Sequence, residues 1–175
     1  MDKGISLIEG AEQEADKLRL RIFKDNDLPV DPILIATSLD LRVFETRLDP
    51  SISGALVKIG DEDDPVILLN DNEGKLRQRF TCAHELGHYV RRINSGEDGP
   101  SYQWVDHRRQ LQEPWNNDEE KYANAFAAEL LMPKSLIDVH HQSGASVIDL
   151  ASKFQVSPSA MRFRLKNLGM LDLEG

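Results

Sequence analysis

The sequence predicts an α+β fold: a small three-stranded sheet, a helix carrying His84-Glu85-Leu86-Gly87-His88, a second helix carrying Glu120, and a helix-turn-helix-like segment toward the C-terminal end. Three observations carry this reading. Short runs of aliphatic and β-branched residues cluster between 41 and 69, as strands require. The two histidines are flanked by apolar Phe80, Ala83 and Val90, which puts them on a partly buried helix. A further block from Asp118 to Leu131 stops at Met132-Pro133, and proline disfavours helical geometry in the residue before it.

Composition bounds the function classes. The chain has 175 residues, 40% of them hydrophobic, enough for one core with a small appendage and too many for global disorder. A net charge of -9 argues against broad attraction to nucleic acid or to anionic membrane. No apolar run is long enough to span a bilayer, and Met1-Asp2-Lys3-Gly4 opens no signal peptide. The single Cys82 can make no internal disulfide. A cytoplasmic location is therefore expected.

The elements follow in order. Residues 1–30 contain a helix whose apolar positions Ile8, Ala11, Ala15, Leu18 and Ile22 form one narrow stripe, for packing on the body, with a partner as the alternative. Asp31 is a ready N-cap and Pro32 suits the first helical position, so a short helix runs through Leu39. Strands are expected at Leu41–Glu45, Gly54–Ile59 and Val66–Leu69. The last two form a hairpin across the acidic turn Asp61-Glu62-Asp63-Asp64-Pro65. That turn lacks the alternating ligands and central glycine of a calcium loop and reads as a solvated turn. The stretch from about Ile93 to Asn117, with Gly96, Gly99, Pro100 and Pro114, reads as a long loop with at most one short element.

The chemistry lies in the histidine helix. Four residues make about one turn, so His84 and His88 point the same way, and two neutral imidazoles on one face can hold a divalent metal. Glu85 lies about 100° around the helix, placed to act on a metal-activated water without being a ligand. Cys82 points away from that face and is expected to pack in the core.

Three glutamates on the next helix compete for a third ligand position. With about 100° per residue, Ala123, Phe126, Ala127, Leu130 and Leu131 form one apolar arc that contains Glu120. A carboxylate on a buried face is costly unless it is paired or binds a metal, which selects Glu120. Glu119, toward the edge of the arc, is the reserve; Glu129 falls opposite and is expected to face water. Asn124 shares the face of Glu120 and is a candidate to accept the N–H of a ligating histidine. An ordinary polar residue at the edge of the core is the alternative for Asn124. In the long loop, Tyr102 and His107 are candidates to stabilise the oxyanion of a scissile carbonyl. Packing or solvent exposure is the expectation for both.

His84-Glu85-Leu86-Gly87-His88-Tyr89, preceded by Arg77-Gln78-Arg79-Phe80-Thr81, resembles the ImmA/IrrE family of bacterial metallopeptidases. So does the run from Glu120-Lys121-Tyr122-Ala123-Asn124 through Met132-Pro133. Asp31-Pro32-Ile33 through Leu41, and Ser53-Gly54-Ala55-Leu56-Val57, are similar to its N-terminal portion. The resemblance implies a zincin-like fold with a gluzincin-type ligand set. His84, His88 and Glu120 would hold one zinc ion, and Glu85 would be the general base. It also implies cleavage of a regulatory protein, typically a helix-turn-helix repressor. The expected domains are an N-terminal helix over 1–30, a metallopeptidase body over 31–133 and a helical segment over 134–175.

That last segment has its own signal. Ala151, Val156, Met161 and Leu165 are spaced like the core of a helix-turn-helix over 146–167, with Gln155 where glycine is common in the turn. Lys134, Lys153, Arg162, Arg164 and Lys166 are nearly balanced by Asp138, Asp149, Asp172 and Glu174, feeble electrostatics for a duplex. Structure or protein docking is the expectation, and DNA contact the alternative. A rival to the enzyme is thus a non-catalytic regulator that uses its metal for structure and binds DNA or a repressor.

Overall fold

In the computed structural model, residues 6–24, 27–58, 64–96, 104–109 and 118–171 are described, with 104–109 placed as backbone. The first helix, α1 (Leu7–Ile22), starts at Ser6, whose hydroxyl accepts from the Glu9 amide at 3.2 Å. Ala11, Ala15 and Leu18 are buried, so the stripe forms, but Ile8 at its outer end is half exposed. Asp31 caps α2 (Pro32–Ser38) as expected, its Oδ1 accepting from the Ile33 amide at 2.9 Å.

The three expected strands are present as β1 (Arg42–Thr46), β2 (Ile52–Lys58) and β3 (Val66–Asn70). β2 and β3 are antiparallel, Gly54 opposite Leu69, while β1 runs parallel to β3, Arg42 opposite Val66. The acidic residues 61–63 between β2 and β3 lie outside the described residues. The sheet is larger than expected. After α3 (Lys75–Ser95), β4 (Trp104–Arg109) pairs antiparallel with β2 and makes the order β1-β3-β2-β4, four strands in all. The polar composition of Trp104-Val105-Asp106-His107-Arg108-Arg109 hid this strand, because an edge strand needs no apolar alternation.

α3 lies on β2. A Cβ on Gly54 would stand 2.4 Å from the Thr81 methyl group and 2.8 Å from the Leu68 carbonyl oxygen, so only glycine permits this approach of helix to sheet. The remaining helices are α4 (Asp118–Leu131), α5 (Lys134–Gln142), α6 (Val147–Phe154) and α7 (Pro158–Asn167). α4 packs between α3 and α1. Phe154, Met161 and Leu165 share one core with Leu86, Phe126 and Leu130. No helix among the described residues is long and apolar enough to cross a membrane.

The turn from α6 to α7 holds Gln155 in the left-handed region, at φ 51. Its carbonyl accepts from Arg79 Nε at 3.2 Å, and the same guanidinium donates to the Val30 carbonyl at 2.7 Å. Arg79 thus ties the N-terminal part of α3 to this turn and to the approach to α2.

Candidate metal centre

α3 is unusual in burying polar residues through its middle: Gln78, Thr81, His84, Glu85 and His88 are all buried. Isolated polar side chains at such positions are costly, so each needs a partner or a task. His84 and His88 lie one turn apart and meet edge to face, with ring centroids 4.7 Å apart and their Nε2 atoms 3.0 Å apart. The carboxylate of Glu120, in the first turn of α4, faces both. Oε1 lies 3.1 Å from His88 Nε2 and Oε2 lies 3.3 Å from His84 Nε2. Hydrogen bonding to the two imidazoles holds the Glu120 carboxyl well below the usual carboxylate range.

These distances test the fit of a metal. Two ligand atoms each about 2.05 Å from a tetrahedral zinc ion stand about 3.3 Å apart. The three observed separations, 3.0, 3.1 and 3.3 Å, are close to that value. Among the described residues, His84, His88 and Glu120 are the group with metal-ligand chemistry, and Glu119 is not part of it. His84 Nδ1 is 3.1 Å from Asn124 Oδ1. With its proton on Nδ1 donated to Asn124, His84 presents the Nε2 lone pair to the Glu120 side.

Two features bring Glu120 to the histidines. A Cβ on Gly87 would meet Ala123 Cα at 2.9 Å and Phe126 Cβ at 3.2 Å, so α3 and α4 touch through the bare backbone of Gly87. Arg91, three residues beyond His88, donates to the Asp118 carbonyl at 3.0 Å and lies over the Tyr122 ring at 5.3 Å. It pins the first turn of α4 against α3. Sequence reading overlooked both residues. The signal for Gly87 was available, since glycine inside a helix costs about 1 kcal/mol and marks a close approach.

Glu129 corrects an expectation. It does not face water: it is buried, bonded to Arg164 Nη2, and its Oε1 accepts from the Lys134 amide at 3.1 Å. Arg164 also reaches Glu12 of α1 at 2.9 Å and the Met132 carbonyl at 3.3 Å. The cause is that α1 and α7 cover the side of α4 that a single amphipathic arc would leave to solvent. A lone carboxylate inside Phe126-Ala127-Ala128-Glu129-Leu130-Leu131 was the missed signal. The pairing removes Arg164 from the cations available to DNA.

Cys82 is buried, and burial pushes its thiol up, as packing rather than ligation requires. Tyr102 lies outside the described residues, and His107 is placed as a backbone position opposite Ala55.

The model of the IrrE N-terminal-like domain matches residues 36–166, from α2 through α7. The chain belongs to the ImmA/IrrE family. No match was found among curated proteins. Membership of this peptidase family points to a metallopeptidase, and the ligand-compatible group formed by His84, His88 and Glu120 agrees with that assignment. The mixed sheet and its helices are compatible with an IrrE-like domain.

Proposed function

We propose that this ImmA/IrrE-family chain is a zinc-dependent endopeptidase that cleaves a regulatory protein, a helix-turn-helix transcriptional repressor, in the cytoplasm. One observation carries the reading. Two histidines from α3 and one glutamate from α4 converge at the spacing of a tetrahedral site, on the open side of which Glu120 is 33% exposed. A structural site is closed by four protein ligands, whereas three ligands with an open approach suit catalysis.

His84, His88 and Glu120 are the residues that would hold the ion. Bound zinc supplies Lewis acidity, which polarises the scissile carbonyl and acidifies a water. Glu85 follows His84 directly and is 1% exposed, so it stands beside the ligands without being one of them. It accepts the proton of the attacking water and delivers it to the departing amide nitrogen. Asn124 fixes the His84 tautomer. Tyr102 and His107 remain the candidates for the oxyanion. In this reading the body is zincin-like, and residues 134–175 form a helix-turn-helix-like element that docks protein rather than DNA.

The test is incubation of the zinc-loaded protein with the repressor encoded beside its gene, followed by product masses. A single Glu85-dependent cut is expected, abolished by chelation and by Glu85→Gln with zinc content retained. An uncut repressor, or full activity in Glu85→Gln, overturns the reading.

A further inference from the structure

Upstream of the histidines, α3 buries two polar side chains that the metal centre does not use. With about 100° per residue, Gln78, Thr81 and Glu85 fall within about 60° of one another around the helix. Their exposures are 4%, 0% and 1%. This face is turned to the sheet. A Cβ on Gly54 of β2 would stand 2.4 Å from the Thr81 methyl carbon. Gln78 Nε2 donates to the carbonyl of Asn70, at the end of β3, at 2.9 Å.

Gln78 Oε1 and Thr81 Oγ1 have no hydrogen-bond partner among the described residues. A buried polar atom left unbonded is costly, and two of them one turn apart on a helix point to a species bound between them. Their chemistry selects it. Gln78 Oε1 can only accept, because the Nε2 bond to Asn70 fixes which way the amide points. An ionised Glu85 also only accepts, and Thr81 has one proton to give. One donor cannot serve two acceptors. A water gives two protons and accepts another, and buried waters make about three hydrogen bonds. Residues three or four apart on a helix are neighbours, about 5–6 Å between Cβ atoms, so one water reaches all three side chains.

We propose that Gln78, Thr81 and Glu85 hold one internal water, which orients Glu85 beside the metal centre. The water accepts from Thr81 Oγ1 and donates to Gln78 Oε1 and to one Glu85 carboxylate oxygen. A carboxylate has about four lone-pair sites, so one oxygen can take this bond and the other the proton of the attacking water. Gln78 and Thr81 are positioning residues. Through the water, the end of β3 sets the angle of the Glu85 carboxylate. That Glu85 is the base rests on the peptidase reading above; the water site does not.

The test combines diffraction with kinetics on the zinc-loaded full chain. High-resolution maps should show one water about 2.5–3.0 Å from Gln78 Oε1, Thr81 Oγ1 and a Glu85 carboxylate oxygen. Thr81→Val keeps the shape and removes the donor. It should lose the water and turn the Glu85 carboxylate, with zinc affinity retained. Against the repressor it should lower kcat by about tenfold at unchanged KM, the scale of loss when a supporting hydrogen bond to a site residue is removed. Thr81→Ser, which keeps the hydroxyl, should recover the water, the carboxylate orientation and most of the rate. Gln78→Met should likewise lose the water, and it carries the test if Thr81→Val fails to fold.

No peak at the three atoms overturns the proposal. So does a peak ringed by six or more oxygens at about 2.3–2.6 Å, which is a hard cation. A Glu85 carboxylate that keeps its orientation in Thr81→Val, or a rate lost equally in Thr81→Val and Thr81→Ser, also overturns it. The two levels separate in the wild-type protein. The water without Glu85-dependent cutting overturns the peptidase reading and keeps the water site. Cutting without the water keeps the peptidase reading and overturns the water site.

Discussion

Gly87→Ala should damage the metal site as well as the fold, and the metal site more. The added Cβ would lie 2.9 Å from Ala123 Cα and 3.2 Å from both the Ala123 carbonyl oxygen and Phe126 Cβ. Carbon atoms in contact sit about 3.5–4.0 Å apart, so α3 and α4 must separate locally by roughly 0.5–1 Å. Overpacking of that size costs about 1–3 kcal/mol. Replacing glycine by alanine inside a helix returns about 1 kcal/mol. The net destabilisation is therefore roughly 0–2 kcal/mol, a fall in Tm of at most about 8 °C for a chain of this length. The same displacement exceeds by several-fold the roughly 0.2 Å tolerance of ligand distances. Because Glu120 sits on the displaced helix, zinc affinity should fall by about 10–100-fold. At saturating zinc, the hundredfold loss removes about 2.7 kcal/mol of metal-linked stabilisation. Competition with a chromophoric chelator gives the affinity, and calorimetry with and without zinc separates the two effects. Wild-type zinc affinity in a folded Gly87→Ala protein would refute the claim that close helix contact builds the site.

Other predictions rest on separate observations. Arg164→Met leaves Glu129 buried without its cation and should cost about 3–5 kcal/mol in chemical denaturation, while adding Glu129→Leu should restore most of it. Failure of the second change to rescue would mean that the pair does not act as a unit. Metal affinity should fall with acid because each imidazole must be unprotonated to ligate, so the zinc association constant measured from about pH 7 down to about pH 5 should decrease, and a constant value would contradict histidine ligands. Glu120, held low by His84 and His88, stays ionised there, so a steepening near the ordinary carboxylate pKa would contradict its environment. At Asp149, bonds from Ser146 lower the folded pKa, so the α6 cap contributes above the unfolded value of 3.8 and is lost as pH falls through the lower folded one. An NMR midpoint at or above 3.8 would rule this out. Cys82, buried with its thiol pushed up, should resist aromatic disulfide reagents at pH 8 until the chain unfolds, and prompt native labelling would show it is accessible.

Much of the site was legible in the sequence because helices convert spacing into direction. His84 and His88 needed one turn of arithmetic, and Glu120 and Asn124 needed one more helix with an apolar arc. The caps at Asp31 and the stop before Pro133 were equally local. What sequence hid depends on partners distant along the chain. Glu129 looked solvent-facing because the arc of α4 is visible in its own residues, whereas the covering by α1 and Arg164 is not. β4 was hidden because an edge strand with polar residues carries no periodic signal. Gly87 was visible as part of the motif, but its contact with Ala123 follows from tertiary packing.

The central claim is that one metal ion is held by His84, His88 and Glu120. Diffraction from crystals grown with zinc, recorded on both sides of the zinc absorption edge, tests it most directly. A single strong anomalous peak is expected about 2.0–2.2 Å from His84 Nε2, His88 Nε2 and a Glu120 carboxylate oxygen. It should vanish in Glu120→Ala and persist in Glu119→Ala. A peak at Glu119, a peak closed by a fourth protein ligand, or no peak between the two histidines would contradict it.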